Sequence, residues 1–296
     1  MENTIISNPQ KPKRIMKKST KDLIVTTVKY IGLAVLSFFL LLPTMLMISR
    51  SFMSDNDVNF RVLVLPSEFT MVAYQRAFNL KMIYWIGNTL IIFALNAVGA
   101  IVSATLCAYG FAKLKFKGRN ICFGIVLSTM MLPAISMQVP LYALYTNMGW
   151  LGTWFPLTVP AFFGGGAGTI FLMRQFMLGI PSDLSEAAKI DGANKFTIYL
   201  RIVVPLCLPI IAYTAVNTFI AVWNDFQNPL MYLGSYEPKF TISLGLYNTY
   251  KATANMYNYA NVQSAAGVGM TIPCVILFFI FQRTLINGIT VGAVKG

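Results

Sequence analysis

Histidine is absent from the 296 residues, and Asp and Glu together number only 10. The first absence removes imidazole-bearing zinc sites, His-based nucleophile triads and any histidine proton relay. Charged residues of both signs make up only 11% of the chain. Soluble domains carry roughly 25%, so these charges cannot cover a water-exposed globular surface. Cysteines are few and scattered: Cys107, Cys122, Cys207 and Cys274 form neither a disulfide framework nor a ligand spacing, and read as small apolar packing residues. No Gly-x4-Gly-Lys-Ser/Thr run occurs, and the glycine-rich stretch 164–168 lies in an apolar run without the following Lys-Ser/Thr. ATP chemistry is therefore not carried by this chain.

What is present is apolar sequence: 56% hydrophobic residues and a mean hydropathy of +0.63. Runs long enough to cross about 30 Å of hydrocarbon cover roughly 30–50, 83–111, 121–145, 154–176, 202–223 and 263–283. These predict an all-α polytopic membrane protein with six transmembrane helices, a basic N-terminal segment over 1–29 and a transmembrane domain over 30–296. An even count places both termini on one side. The first run exceeds a signal-peptide core and lacks a cleavage site after Pro43, so it reads as a retained span.

None of the ten acids falls within a run; Asp225 comes closest, at the outer end of the fifth. Ion-driven transport usually needs a carboxylate at membrane depth, so this absence disfavours it. Helix breakers, in contrast, are frequent: Pro133, Pro140, Pro156, Pro160, Gly164, Gly165, Gly166, Pro205, Pro209 and Pro273. Irregular backbone at that depth is tolerated where protein or a watery cavity satisfies it. Collectively the breakers favour a conduit over an inert anchor. Asn96, Gln138, Asn217 and Asn224 are candidate pathway-lining residues, and Asn88 is a further polar group at a span end; bonding to a neighbouring helix is the alternative use of each. Tyr142, Tyr145, Trp150 and Trp154 fit an interfacial aromatic belt.

The formal charge of +13 is unevenly distributed. Seventeen of the 23 Lys and Arg lie in the N-terminal segment, the second-to-third loop, the fourth-to-fifth loop and the tail, while five lie on the other side and Arg50 at a span end. Acids divide five and five, so one face carries +12 and the other 0. Positive charge marks the cytoplasmic side, which predicts cytoplasmic termini. Charge spread over every loop of one face is an orientation signal rather than a nucleic-acid patch. The densest folded stretch, Lys113, Lys115, Lys117 and Arg119, reads as part of that clamp, with a lipid-headgroup or partner contact as the alternative.

The fourth-to-fifth loop, 174–201, carries helix punctuation. Asp183 stands three residues before Glu186 as in a capping box, Gly192 offers a stop, and a second short amphipathic helix is predicted from Lys195 to Leu200. The paired alanines let a partner approach closely, while Glu186 and Asp191 charge the rim. Glu186-Ala187-Ala188, three residues, Gly192, nine residues, Ile202, one residue, Val204-Pro205 resembles the permease signature of ATP-binding-cassette importers, with Val204 where the pattern has Leu. The stretch from Glu186 to Ala193, Trp223-Asn224-Asp225-Phe226 with Pro229-Leu230, Asn88-Thr89, the run 111–119, and Gln282-Arg283 with 292–296 resemble the carbohydrate branch, the maltose-type inner permease.

The resemblance implies half of a translocation pathway in the bacterial plasma membrane, not itself an enzyme. Glu186, Ala187, Ala188, Asp191 and Gly192 would form a coupling helix seated in a cytoplasmic ATPase, and the tail 292–296 would touch the same partner. It further implies a second permease subunit as heterodimer partner, two ATP-binding-cassette subunits that use the ATP and Mg, an extracellular solute-binding protein, and a carbohydrate of oligosaccharide length. Surrounding lipid completes the environment, and no cofactor, metal or nucleic acid is bound by this chain. A structural or regulatory membrane protein that merely docks a cytoplasmic partner is the competing reading, and an intramembrane enzyme the third.

Overall fold

The structure is a computed structural model that describes residues 20–60, 65–78, 80–251 and 260–293. Among these residues every regular element is helical. The basic N-terminal segment of 1–29 lies for the most part outside them, as do the last three residues of the tail.

The chain divides into two compact units, Met1–Met47 and Ile48–Gly296. The described part of the first is most of helix α1, Thr20–Ser51. Its side chains, among them Leu33, Phe38, Phe39 and Leu40, are exposed along nearly the whole length, as a helix that meets hydrocarbon requires.

The second unit opens with two short helices, α2 (Asp55–Phe60) and α3 (Val72–Ala77). The long helix α4, Leu80–Lys113, then acts as a central mast. Next come α5 (Arg119–Thr129), α6 (Ala134–Asn147), the single turn α7 (Phe155–Thr158) running into a 3-10 turn at Val159–Phe162, and α8 (Ala167–Leu178). Helices α9 (Ser182–Ile190) and α10 (Lys195–Ile198) form the connection that follows. A π-helical turn at Tyr199–Val203 leads through α11 (Val204–Leu206) into α12 (Leu208–Asn224), followed by α13 (Gln227–Leu233), α14 (Ile242–Lys251) and α15 (Ala260–Ala293).

Four stretches are long and apolar enough to cross a membrane: Leu23–Ser51, Lys81–Lys113, Phe155–Leu178 and Ala260–Gln282. Six result if each of two bent pairs counts as one. The first pair, α5 with α6, is bent by 94° because Pro133 is extended (ψ 127°) and ends the helical path. The second pair, Lys195–Leu206 with Leu208–Asn224, is bent by 71°. Pro205 and Pro209 remove two backbone donors around Cys207, and the π-helical turn takes up the mismatch.

Two buried clusters sit near opposite ends of α4. One gathers Ala104, Ala108, Tyr109, Met173, Met177, Ile198 and Val203 under the α9 loop. The other gathers Met82, Trp85, Phe219, Trp223, Phe240, Ile242 and Leu244. About twenty residues of helix at 1.5 Å each separate them by roughly 30 Å, the thickness of a bilayer core.

One face of α4 carries Thr89, Asn96 and Ser103, each seven residues from the next and hence on one stripe. Each secures backbone that α4 does not own. The Thr89 hydroxyl accepts from Ile242 N (2.9 Å), the Asn96 amide donates to the Leu157 carbonyl (2.8 Å), and Ser103 Oγ lies 3.0 Å from the Ala161 carbonyl and accepts from Gly164 N at 3.0 Å. The broken fourth span is thus satisfied by protein. Gly164, Gly165 and Gly166 all have positive φ, and a Cβ on Gly165 would stand 2.7 Å from that of Ala100. The glycine run is a place of close backbone approach to α4.

Candidate functional site

The loop from Ile180 to Val203 is built around α9. Its N-cap is Pro181, with no side-chain cap; the capping box expected between Asp183 and Glu186 does not form, because the helix already begins at Ser182 and places Asp183 inside the first turn, where its carboxylate accepts from Ser182 Oγ (3.3 Å). The C-terminal end is tightly specified. Ala193 N donates to the Ala188 carbonyl (2.9 Å) and Gly192 N to that of Lys189 (3.0 Å), with Gly192 at φ +84°. This is a Schellman closure, whose left-handed residue favours glycine. Ala188 and Ala193, the two residues it brings together, both pack on the cluster beneath.

Glu186, Ala187, Asp191 and Gly192 are exposed and Ala188 is half-buried. Beside them stand apolar side chains with no cover: Ile190 is 87% exposed, Phe196 62% and Leu184 44%. The second short helix expected over 195–200 is α-helical only from Lys195 to Ile198, opened by Asn194, whose side chain accepts from Thr197 N at 2.8 Å. From Tyr199 it widens into the π-helical turn. Helix α4 anchors both ends of the loop: Lys113 Nζ donates to the Ile180 carbonyl (2.7 Å) and Tyr109 OH to that of Lys195 (3.0 Å).

A second feature is a cleft of about 530 Å³ between α4, α6, α7 and the α12–α13 junction. Ligand pockets commonly span roughly 300–1,000 Å³. Asn96, Asn224, Asp225, Asn228, Tyr145 and Tyr232 contribute its polar lining, and Thr241 its floor. Asp225 ends α12 and accepts from Asn228 N (3.2 Å) and Nδ2 (2.9 Å), which holds both groups in one place. Tyr145 and Tyr232 meet edge to face with centroids 5.2 Å apart. Thr241 is 1% exposed, and its hydroxyl has no partner.

Of the four candidate pathway residues, the cleft brings together Asn96 and Asn224. Gln138, half-buried on α6, and Asn217, exposed on α12, are not among the residues that line it. Asn96 spends both amide hydrogens on backbone carbonyls, those of Ile92 and Leu157, so its inter-helix role is realised. Asn88 likewise donates to the Pro238 and Phe240 carbonyls, each at 2.9 Å. Of the four aromatics read as a belt, Tyr145 is buried and stacked on Trp150 (5.6 Å), and Trp154 donates to the Lys239 carbonyl (2.9 Å). These three pack within the protein, whereas Tyr142 is exposed.

Residues 100–291 match the family of binding-protein-dependent transport system inner membrane components. The chain belongs to this family.

As a permease, it is 32% identical over 286 residues to the arabinooligosaccharides transport system permease protein AraQ of Halalkalibacterium halodurans, covering 95% of this chain and 100% of that one. It is 28% identical over 271 residues to the galactooligosaccharides transport system permease protein GanQ of Bacillus subtilis, covering 90% and 94%. Its fold matches a chain of a bacterial ABC transporter involved in the import of the acidic polysaccharide alginate, with a TM-score of 0.81, 24% identity and coverage of 90% and 98%. The sequence patterns of the permease had pointed to Asn224 but not to Asn228, Tyr232 or Thr241. The Asp225-x-x-Asn228 spacing was the available signal, since a carboxylate three residues before a backbone N–H caps the turn that follows. Thr241 had none, because it reaches the cleft only through the fold.

Proposed function

We propose that this chain is the membrane-spanning permease subunit of an ATP-driven importer for a carbohydrate, an oligosaccharide in the first instance. The observation that carries this reading is the loop at α9. A charged helix flanked by uncovered Ile190, Phe196 and Leu184, closed by Gly192 and anchored at both ends to α4, is a rigid knob that lacks its socket. The socket is a cleft in one of two ATP-binding-cassette subunits, which use ATP and Mg. Glu186, Ala187, Ala188, Asp191 and Gly192 couple their closure to rigid-body rocking of the spans. With both termini and α9 cytoplasmic, the tail 292–296 falls on the same side; its last three residues lie outside the described ones.

The pathway is shared with a second permease subunit, and an extracellular solute-binding protein delivers the sugar. The cleft at Asn224, Asp225, Asn228, Tyr145 and Tyr232 lies along that pathway, and its amide, carboxylate and aromatic groups suit sugar hydroxyls and ring faces. Relatives named for arabino- and galactooligosaccharide transport support the substrate class.

Uptake of a panel of labelled oligosaccharides by cells that express the whole complex defines the sugar. In the same assay, Glu186→Lys combined with Gly192→Pro abolishes uptake while membrane abundance is unchanged. Full uptake by that double variant defeats the coupling role and leaves a non-transporting docking protein as the reading to pursue.

A further inference from the structure

Between the end of α4 and the inner face of α9 lies a cavity of about 540 Å³. Its walls include Lys113, Lys115, Lys189 and Lys195, opposed by one carboxylate, that of Glu186. Lys113 is engaged by the Ile180 carbonyl. Among the described residues, Lys115, Lys189 and Lys195 form no ion pair, although Glu186 stands only one helical turn from Lys189. The cavity is therefore lined by three solvent-exposed lysines that have no ion-pair partner, a convergence that orientation in the membrane does not by itself require.

Two further observations point the same way. Ser185 lines the cavity, and its hydroxyl is shut off from water with no hydrogen-bond partner. Such a group costs about 1–3 kcal/mol until something pairs with it. Helix α9 also begins at this wall, with Ser182, and has no side-chain cap, so its first backbone N–H groups lack a side-chain partner, although Asp183 in the first turn offsets part of the positive end of its dipole. Lysines, hydroxyl and helix start together make this lining richer in donors than in acceptors.

We propose that this cavity binds a phosphate-bearing anion, held by Lys115, Lys189 and Lys195, with the Ser185 hydroxyl turning about χ1 from its closed position into the cavity to donate. A phosphate has several acceptor oxygens in a tetrahedral arrangement and so can use donors that converge from α4, α9 and α10, whereas a carboxylate lies in one plane. The phosphate comes either from a soluble phosphomonoester or from the headgroup of an anionic lipid. Because Lys113 and Tyr109 already tie α9 to α4, a bound anion bridges the same two helices and stiffens the knob on its stalk.

The test is lysine footprinting by mass spectrometry on the complete transporter, without ATP, in phosphatidylcholine nanodiscs. Inorganic phosphate is titrated against chloride at matched ionic strength, and parallel discs contain phosphatidylglycerol. Severalfold slower acetylation of Lys115, Lys189 and Lys195, with Lys117, exposed like them but outside the cavity lining, unchanged, is the expected result. Protection by phosphate identifies a soluble ligand, and protection by phosphatidylglycerol alone identifies a lipid headgroup. Ser185→Ala weakens that protection, and Lys189→Gln weakens it at Lys115 and Lys195 should the serine variant fail to assemble. Equal labelling of all four lysines under every condition overturns the proposal. So does full protection of the three before any anion is added, which assigns the cavity to an acidic group of the ATPase, and so does protection that survives both variants. No outcome depends on which sugar is carried or on whether α9 couples.

Discussion

Two glycines show how a single position carries the physics of this permease. Gly192 lets α9 close in a left-handed turn that any L side chain would strain, and the closure seats Ala188 and Ala193 on the cluster below. Gly165 adds a spatial demand to the conformational one: at φ +61° its missing Cβ would fall 2.7 Å from Ala100 Cβ and 2.8 Å from Ala100 Cα. Backbone and a Cβ give way far less readily than a flexible side-chain end. Gly165→Ala is therefore expected to destabilise the protein by about 1–3 kcal/mol, visible as a lower melting temperature of the detergent-solubilised protein. Gly87→Ala, at a helical position with ordinary φ where no atom lies within 4 Å of the added carbon, should stay near wild type.

At the scale of elements, α4 organises its neighbours by polar bonds as much as by apolar packing. Its stripe of Thr89, Asn96 and Ser103 meets the chain before α14, the end of α7 and the glycine turn in succession. Ser103 serves three backbone groups, with its oxygen 2.6 Å from the Gly99 carbonyl, 3.0 Å from that of Ala161 and 3.0 Å from Gly164 N. Removing it leaves Gly164 N unpaired where water is scarce, whereas the Ala161 carbonyl keeps its bond from Gly165 N (3.1 Å). Ser103→Ala should cost about 1–3 kcal/mol in an unfolding titration. Ser128→Ala, which loses only a bond to its own helix at an exposed position, should stay near wild type. Equal effects would show that the stripe is incidental to stability. The breaks at Pro133 and around Cys207 belong to the same scale, since a helix interrupted in the membrane survives only where another element answers its freed backbone.

For the whole molecule, a polar clasp far from α9 in sequence draws distant segments together. Asn261, at the start of α15, donates to the Met53 carbonyl (3.0 Å) and to Asp55 (2.8 Å), and Arg76 donates to the same Asp55 carboxylate at 2.7 Å. Burial raises the Asp55 pKa, but the hydrogen bonds from Arg76 and Asn261 and the Arg76 charge outweigh it and hold the group below its ordinary 3.8. A carboxylate depressed in the folded state contributes stability above its unfolded pKa and loses it as pH falls through the folded one. Wild-type melting temperature should thus drop on acidification below 3.8 by more than that of Asp55→Asn. Both side chains of the ion pair are more than 40% exposed, so the difference should shrink in high salt. Parallel pH curves for the two proteins would remove Asp55 from the acid response.

Membership of the membrane class, the number of apolar runs and the place of the α9 knob were legible in the sequence because each depends on local composition: long runs of one polarity, and a signature whose glycine and alanines serve a turn only a few residues long. Where those runs break was legible in part, since the prolines are visible but bends of 94° and 71° are set by what packs against them. The cleft and the basic cavity were decided by the tertiary structure. Asn96 and Thr241, or Lys115 and Lys189, are separated by tens of residues and meet only because α4 runs the length of the unit with a polar contact at each level. Bonding to neighbours is also what turned Asn88, Asn96, Tyr145 and Trp154 from general membrane residues into specific ties. A side chain's chemistry is written in the sequence, but the partner that uses it is chosen by packing.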